Sequence, residues 1–178
     1  GEMARLPDLI GFAKEHDLDS ERVGVMGFSA GGHLAGSLAT QPQVQEGLVG
    51  DDVDSFSYKP NFAALIYPVV SLVEEFSNFG SRDNLLGVPS DPQIAEQLSV
   101  EKAVTDGTCP MFLAHTQEDK TVPVLNSLVL AEALTRHGIS AELHVYPKGE
   151  HGMGLAANHP WGDALLTWLS SSSSYSCS

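Results

Sequence analysis

Ser29 stands in Gly27-Phe28-Ser29-Ala30-Gly31, with a glycine two residues before it and another two residues after. Upstream, Arg22-Val23-Gly24-Val25-Met26 reads as a strand; downstream, Ala30 to about Thr40 reads as a helix. A serine at the apex of so sharp a turn projects its Oγ away from the backbone, and the crowded apex favours small residues at both flanking positions. Ala30 and Gly31 would also let a substrate carbonyl approach the helix N-terminus, where unpaired N–H groups stabilise negative charge. The chemistry this spacing predicts is nucleophilic attack by Ser29.

Such a nucleophile needs a base to take its proton and an acid to orient that base. In a parallel α/β sheet, both belong just beyond the C-terminal ends of later strands. After the predicted strand Met111–His115 comes Thr116-Gln117-Glu118-Asp119-Lys120-Thr121-Val122-Pro123, which offers Asp119, with Glu118 as an adjacent rival. After the predicted strand Ala141–Tyr146 comes Pro147-Lys148-Gly149-Glu150-His151-Gly152-Met153-Gly154, which offers His151. Among the other histidines, His33 lies one helical turn beyond Ser29 and reads as a packed helix residue. His115 and His144 belong to strands, and His16, His137 and His159 fall at element ends. Only His151 follows a strand within a glycine-rich loop. Tyr67-Pro68 and the Phe76–Phe79 region could line an acyl or aryl pocket, or simply pack core and cap. The chain order Ser, Asp, His is that of α/β-hydrolases.

The elements needed to position these residues are legible. Ala4–His16 carries Leu6, Leu9, Ile10 and Ala13 at helical spacing. Phe62–Tyr67 is a continuous apolar run stopped by Pro68, as expected of a strand buried on both faces. Residues Ser71–Thr108 break the rhythm with Gly80, Gly87, Pro89 and Pro92, and read as a short cap-like insertion with helical pieces such as Gln93–Leu98. Val124–His137 reads as an amphipathic helix stopped by Gly138, and Trp161–Leu169 as a final helix. Strands alternating with helices of this length predict an α/β fold, a mostly parallel sheet with helices on both faces. Residues 1–170 form one domain in this scheme, and 171–178 a disordered tail.

Bulk properties narrow the function. At 178 residues the chain suits one domain burying roughly 70% of its unfolded surface. No apolar run approaches the ~20 residues of a membrane span, and no signal peptide is visible, so a soluble protein is expected, cytoplasmic or secreted. The net charge of -14 disfavours nucleic acid and anionic membranes as partners and favours neutral or weakly charged substrates. Gly31-Gly32 is followed by no Lys-Ser/Thr, which weakens a nucleotide reading. Asp51, Asp52 and Asp54 lack the glycine and terminal glutamate of a calcium loop and read as solvated. The mechanism requires no metal or organic cofactor. Cys109 reads as a small buried residue, and a disulfide to Cys177 is not expected.

Gly27-Phe28-Ser29-Ala30-Gly31-Gly32-His33-Leu34-Ala35, Leu65-Ile66-Tyr67-Pro68-Val69-Val70, Asp119-Lys120-Thr121-Val122-Pro123 and Gly149-Glu150-His151-Gly152-Met153-Gly154-Leu155 together resemble the acetyl esterase/lipase branch of the α/β-hydrolases. The nearest likeness is to acetylxylan and feruloyl esterase-like enzymes, over about Asp17 to His159. The resemblance implies Ser29 as nucleophile, His151 as base, Asp119 as orienting acid and Ala30 N–H as one oxyanion donor. It implies a short-chain ester of a small molecule or carbohydrate as substrate. The family's His-Gly-Gly segment, source of a second oxyanion donor, has no counterpart here, and its first strands are missing. The chain therefore reads as the C-terminal part of a longer protein. Its first strand is expected to present an apolar edge that pairs with an N-terminal segment or another chain, leaving the fragment alone poorly soluble. Rival readings are a prolyl-oligopeptidase-like serine peptidase and a non-catalytic hydrolase-fold binding module.

Overall fold

The computed structural model describes residues 15–16, 19, 22–41, 59–153 and 159–171. The expected first helix up to Lys14, the acidic loop at 51–54 and the tail from Ser172 lie outside the described residues.

Among the described residues four strands, β1 (Gly24–Phe28), β2 (Phe62–Ile66), β3 (Met111–Thr116) and β4 (Ala141–Tyr146), pair in the order β1-β2-β3-β4. Every pairing is parallel, with Val25 opposite Ala63, Leu65 opposite Leu113, and Leu113 opposite Leu143. The first strand lies two residues later than expected. The turn is so sharp that extended backbone persists through Phe28, right up to Ser29.

Side chains alternate across the sheet with the strand period of two. Ala63, Leu65, Met111 and Leu113 face Ala35 and Ala39 of α1 (Ser29–Thr40) and Leu130 and Leu134 of α4 (Leu125–Arg136). Ala64, Ile66, Phe112 and Ala114 face Trp161, Leu165 and Trp168 of α5 (Trp161–Ser170). Burial on both faces explains why β2 and β3 read as unbroken apolar runs. Helix α4 ends in the left-handed turn expected of Gly138, at φ 68°. There Ile139 N–H donates to Leu134 C=O and Gly138 N–H to Thr135 C=O, the paired bonds of a Schellman motif.

Residues 71–108 contain α2 (Phe79–Leu86), α3 (Pro92–Gln97) and a 3-10 turn (Val100–Lys102). Asn78 caps α2 through Ser81 N–H, while Asp91 caps α3 through Gln93 N–H with Pro92 in the first turn. The segment is bonded down onto the sheet layer. Val100 N–H donates to Val70 C=O, and Asn78 Nδ2 donates to Thr121 C=O beside the loop after β3. Among the described residues no helix is long and apolar enough to cross a membrane. β1 has no second strand partner among them either, and its Met26 and Phe28 stay 42% and 37% exposed. Cys109 is fully buried.

Candidate active site

Ser29 follows β1 directly and takes φ 54°, a left-handed conformation that costs a non-glycine residue free energy and persists only where neighbours enforce it. The enforcement is visible. Val69 N–H donates to the Ser29 carbonyl at 3.0 Å, and Val70 and Ser71 N–H both donate to the buried Asn126 side chain. The glycines around the turn divide into two kinds. A Cβ at Gly27 would stand 2.1 Å from the Gly31 carbonyl oxygen, and one at Gly32 would stand 2.7 Å from the Pro68 side chain. A Cβ at Gly31 would meet no described atom within 4 Å. The expectation that crowding favours small residues at both flanking positions is thus corrected: the crowding is found at Gly27, and on the other side at Gly32 rather than Gly31. Gly31 instead borders open space beside Ser29.

His151 and Asp119 arrive from the loops after β4 and β3. Ser29 Oγ lies 2.8 Å from His151 Nε2, and His151 Nδ1 lies 2.6 Å from Asp119 Oδ2. A carboxylate can only accept, so the proton sits on Nδ1 and Nε2 presents its lone pair to the serine hydroxyl. The other Asp119 oxygen accepts Thr121 N–H at 3.0 Å and Val122 N–H at 2.9 Å. The Asp119 side chain is 1% exposed, whereas His151 keeps 21%, enough to meet solvent or a ligand. Ala30 and Gly31 follow in the first turn of α1, where N–H groups have no intrahelical acceptor.

Tyr67, at φ 39°, sets its ring edge against His151 with centroids 4.9 Å apart. Burial, reinforced by the Asp119 charge, pushes its phenol above the ordinary value and keeps it neutral. Phe28 packs between Tyr67 and Trp161, at 5.9 and 5.8 Å. Trp161 Nε1 in turn donates to Met153 C=O, two residues beyond His151. Phe79, from the other segment considered for a pocket, is half exposed and lies under Arg82. A groove of about 420 Å³ opens beside His151, lined by Glu118, Lys120, Thr121 and Glu150.

His115 is a participant that its place in an apolar strand concealed. It is fully buried behind Asp119, with Nε2 2.8 Å from Val122 C=O and 3.5 Å from Asp119 Oδ2, and Nδ1 2.8 Å from Ser127 Oγ. The carbonyl requires a donor, so Nε2 carries the proton and Nδ1 accepts from Ser127. Burial lowers the His115 pKa despite the nearby carboxylate, which keeps the ring neutral. A histidine among aliphatic residues was the one signal available. His33 is buried in α1 and donates to Leu98 C=O at 2.8 Å, and burial lowers its pKa too. Glu118 does not reach the His151 ring; it bonds to Lys148 and to Gly149 N–H. Among the described residues no three His, Cys, Asp or Glu side chains cluster to hold a metal ion.

A parallel sheet with helices on both faces, carrying serine, histidine and aspartate on loops at the carboxyl ends of its strands, defines the α/β-hydrolase class. Residues 9–134 match the BD-FAE family model, and the chain belongs to that family. An acetylxylan esterase of Xylanibacter ruminicola is 34% identical over 167 residues, spanning 89% of this chain and 32% of that protein. An endo-1,4-beta-xylanase B of Butyrivibrio fibrisolvens is 36% identical over 146 residues, spanning 81% of this chain and 22% of that protein. The crystal structure of an acetyl ester-xyloside bifunctional hydrolase from Caldicellulosiruptor lactoaceticus matches with a TM-score of 0.83 at 40% identity, over 92% of this chain and 61% of that one. The chain thus spans a third or less of these two sequence relatives.

Proposed function

We propose that the protein is a serine esterase that removes short acyl groups, acetyl above all, from carbohydrate esters. The observation that carries this is the unbroken hydrogen-bonded line from Ser29 Oγ through His151 to Asp119, with Ser29 held at a strained turn. The acetylxylan esterase and acetyl ester-xyloside hydrolase among its relatives support an acetylated carbohydrate as substrate.

In this mechanism His151 Nε2 takes the hydroxyl proton as Ser29 Oγ bonds to the ester carbonyl carbon. The carbonyl oxygen becomes an oxyanion that Ala30 N–H stabilises. Collapse breaks the bond to the alcohol oxygen, which receives the proton from His151 and leaves. Water, deprotonated by the same nitrogen, then attacks the acyl-serine; collapse breaks the acyl–Oγ bond, Ser29 Oγ takes back the proton from His151, and the acid departs. Asp119 holds Nδ1–H throughout and stabilises the imidazolium.

Turnover of p-nitrophenyl acetate and acetylated xylo-oligosaccharides, set against an aminoacyl-proline amide, tests this reading. Esters are expected to turn over, and Ser29→Ala to abolish that turnover. Activity only on the amide, or full ester activity in Ser29→Ala, contradicts it.

A further inference from the structure

The loop after β3 grips the His151 loop twice. Asp119 takes the imidazole, and its neighbours take the backbone two residues earlier. Glu118 Oε2 accepts Gly149 N–H at 3.2 Å, while Glu118 Oε1 meets Lys148 Nζ at 2.5 Å. On the other side of the same residue, Thr116 Oγ1 donates to Gly149 C=O. Gly149 is therefore held through both its amide and its carbonyl. It adopts φ 130°, and a Cβ there would fall 2.9 Å from Thr116 Cγ2, so the approach requires glycine. Past His151, Met153 C=O is fixed by the buried Trp161. The position of the imidazole is set between these two anchors.

We propose that Glu118 is a positioning residue: by accepting Gly149 N–H it sets where His151 Nε2 stands relative to Ser29 Oγ, while its contact with Lys148 is incidental. The inference rests on the roles given to Ser29 and His151 under the proposed function. Bonding to Lys148, then to Gly149 N–H, lowers the Glu118 pKa below the ordinary carboxylate value. The Glu118 carboxylate therefore stays ionised, and able to accept both bonds, to lower pH than an ordinary glutamate. Lys148 is 82% exposed and Glu118 42%, and an exposed pair adds little to folding stability. The effect of Glu118 belongs to geometry, where a displacement of about 1 Å costs as much as a hundredfold in rate.

The test compares Glu118→Ala, Glu118→Gln and Lys148→Met with the wild-type full chain on p-nitrophenyl acetate. It also follows the NMR signal of the His151 Nδ1 proton, which the short bond to Asp119 shifts downfield. Glu118→Ala is expected to lose about tenfold in kcat with KM nearly unchanged, and to move or broaden that signal. Glu118→Gln, whose amide oxygen still accepts from Gly149, is expected to retain most of both, as is Lys148→Met. An unmoved proton signal in Glu118→Ala overturns the proposal, and so does a loss confined to KM, which would make Glu118 a substrate contact. If the wild-type chain hydrolyses no ester, the proposed function falls, while the proton signal still reports on the clasp.

Discussion

At the scale of single residues, the turn at Ser29 concentrates steric demand on particular atoms. Gly27 faces a backbone carbonyl that cannot move without unwinding the first turn of α1, whereas Gly31 faces no described atom. Both are glycines in Gly27-x-Ser29-x-Gly31, yet their replacements should behave oppositely. Gly31→Ala is expected to leave the unfolding temperature unchanged or to raise it, since alanine gains about 0.5–1 kcal/mol over glycine within a helix. Gly27→Ala is expected to lose about 1–3 kcal/mol through overpacking. Thermal unfolding of the two variants checks this, and equal destabilisation would contradict the division. If Gly31→Ala also slows ester turnover while folding normally, glycine at 31 serves substrate approach rather than the turn.

At the scale of elements, β3 and the loop after it do most of the organising. This stretch supplies Phe112 and Leu113 to opposite cores, His115 behind the acid, then Thr116, Glu118 and Asp119 around the His151 loop. Buried neutral imidazoles on β3 and α1 have a consequence for pH. His115 and His33 have folded pKa values below the ordinary 6.5, chiefly through burial. Below pH 6.5 the unfolded chain binds protons that the folded chain resists, so stability falls as pH drops from 7 toward 5. The unfolding temperature should fall with it, by about 2–4 °C for each kcal/mol lost. His33→Gln keeps a donor for Leu98 C=O but cannot titrate, and should show a shallower fall than wild type. An identical pH dependence in the two would contradict this account of His33. The strands and long helices were legible in sequence because unbroken apolar runs, helical periodicity and a stop at Gly138 each report a local cause. The Glu118 clasp and the bonds of His115 were not, because they depend on which loops meet, and spacing within one segment carries no such information. The start of β1 was displaced for a similar reason: β-branched residues mark where a strand begins to be favoured, while the turn at Ser29 decides where it ends.

At the scale of the whole molecule, four parallel strands bring Ser29 at the start of α1 and two loop residues within hydrogen-bonding reach although up to 122 positions separate them in sequence. The exposed side chains of β1 lie at the sheet edge nearest the nucleophile, and sequence relatives extend well beyond the matched region. The charge of -14 suits an uncharged carbohydrate better than a polyanion. All of these features serve one claim, that Ser29 becomes covalently acylated during turnover. Intact-mass analysis of protein quenched during hydrolysis of p-nitrophenyl acetate, followed by peptide mapping, measures it directly. The expected result is one acetyl group on the peptide containing Ser29, absent from Ser29→Ala. Steady turnover with no adduct on Ser29, or with the acetyl group on another residue, would contradict it.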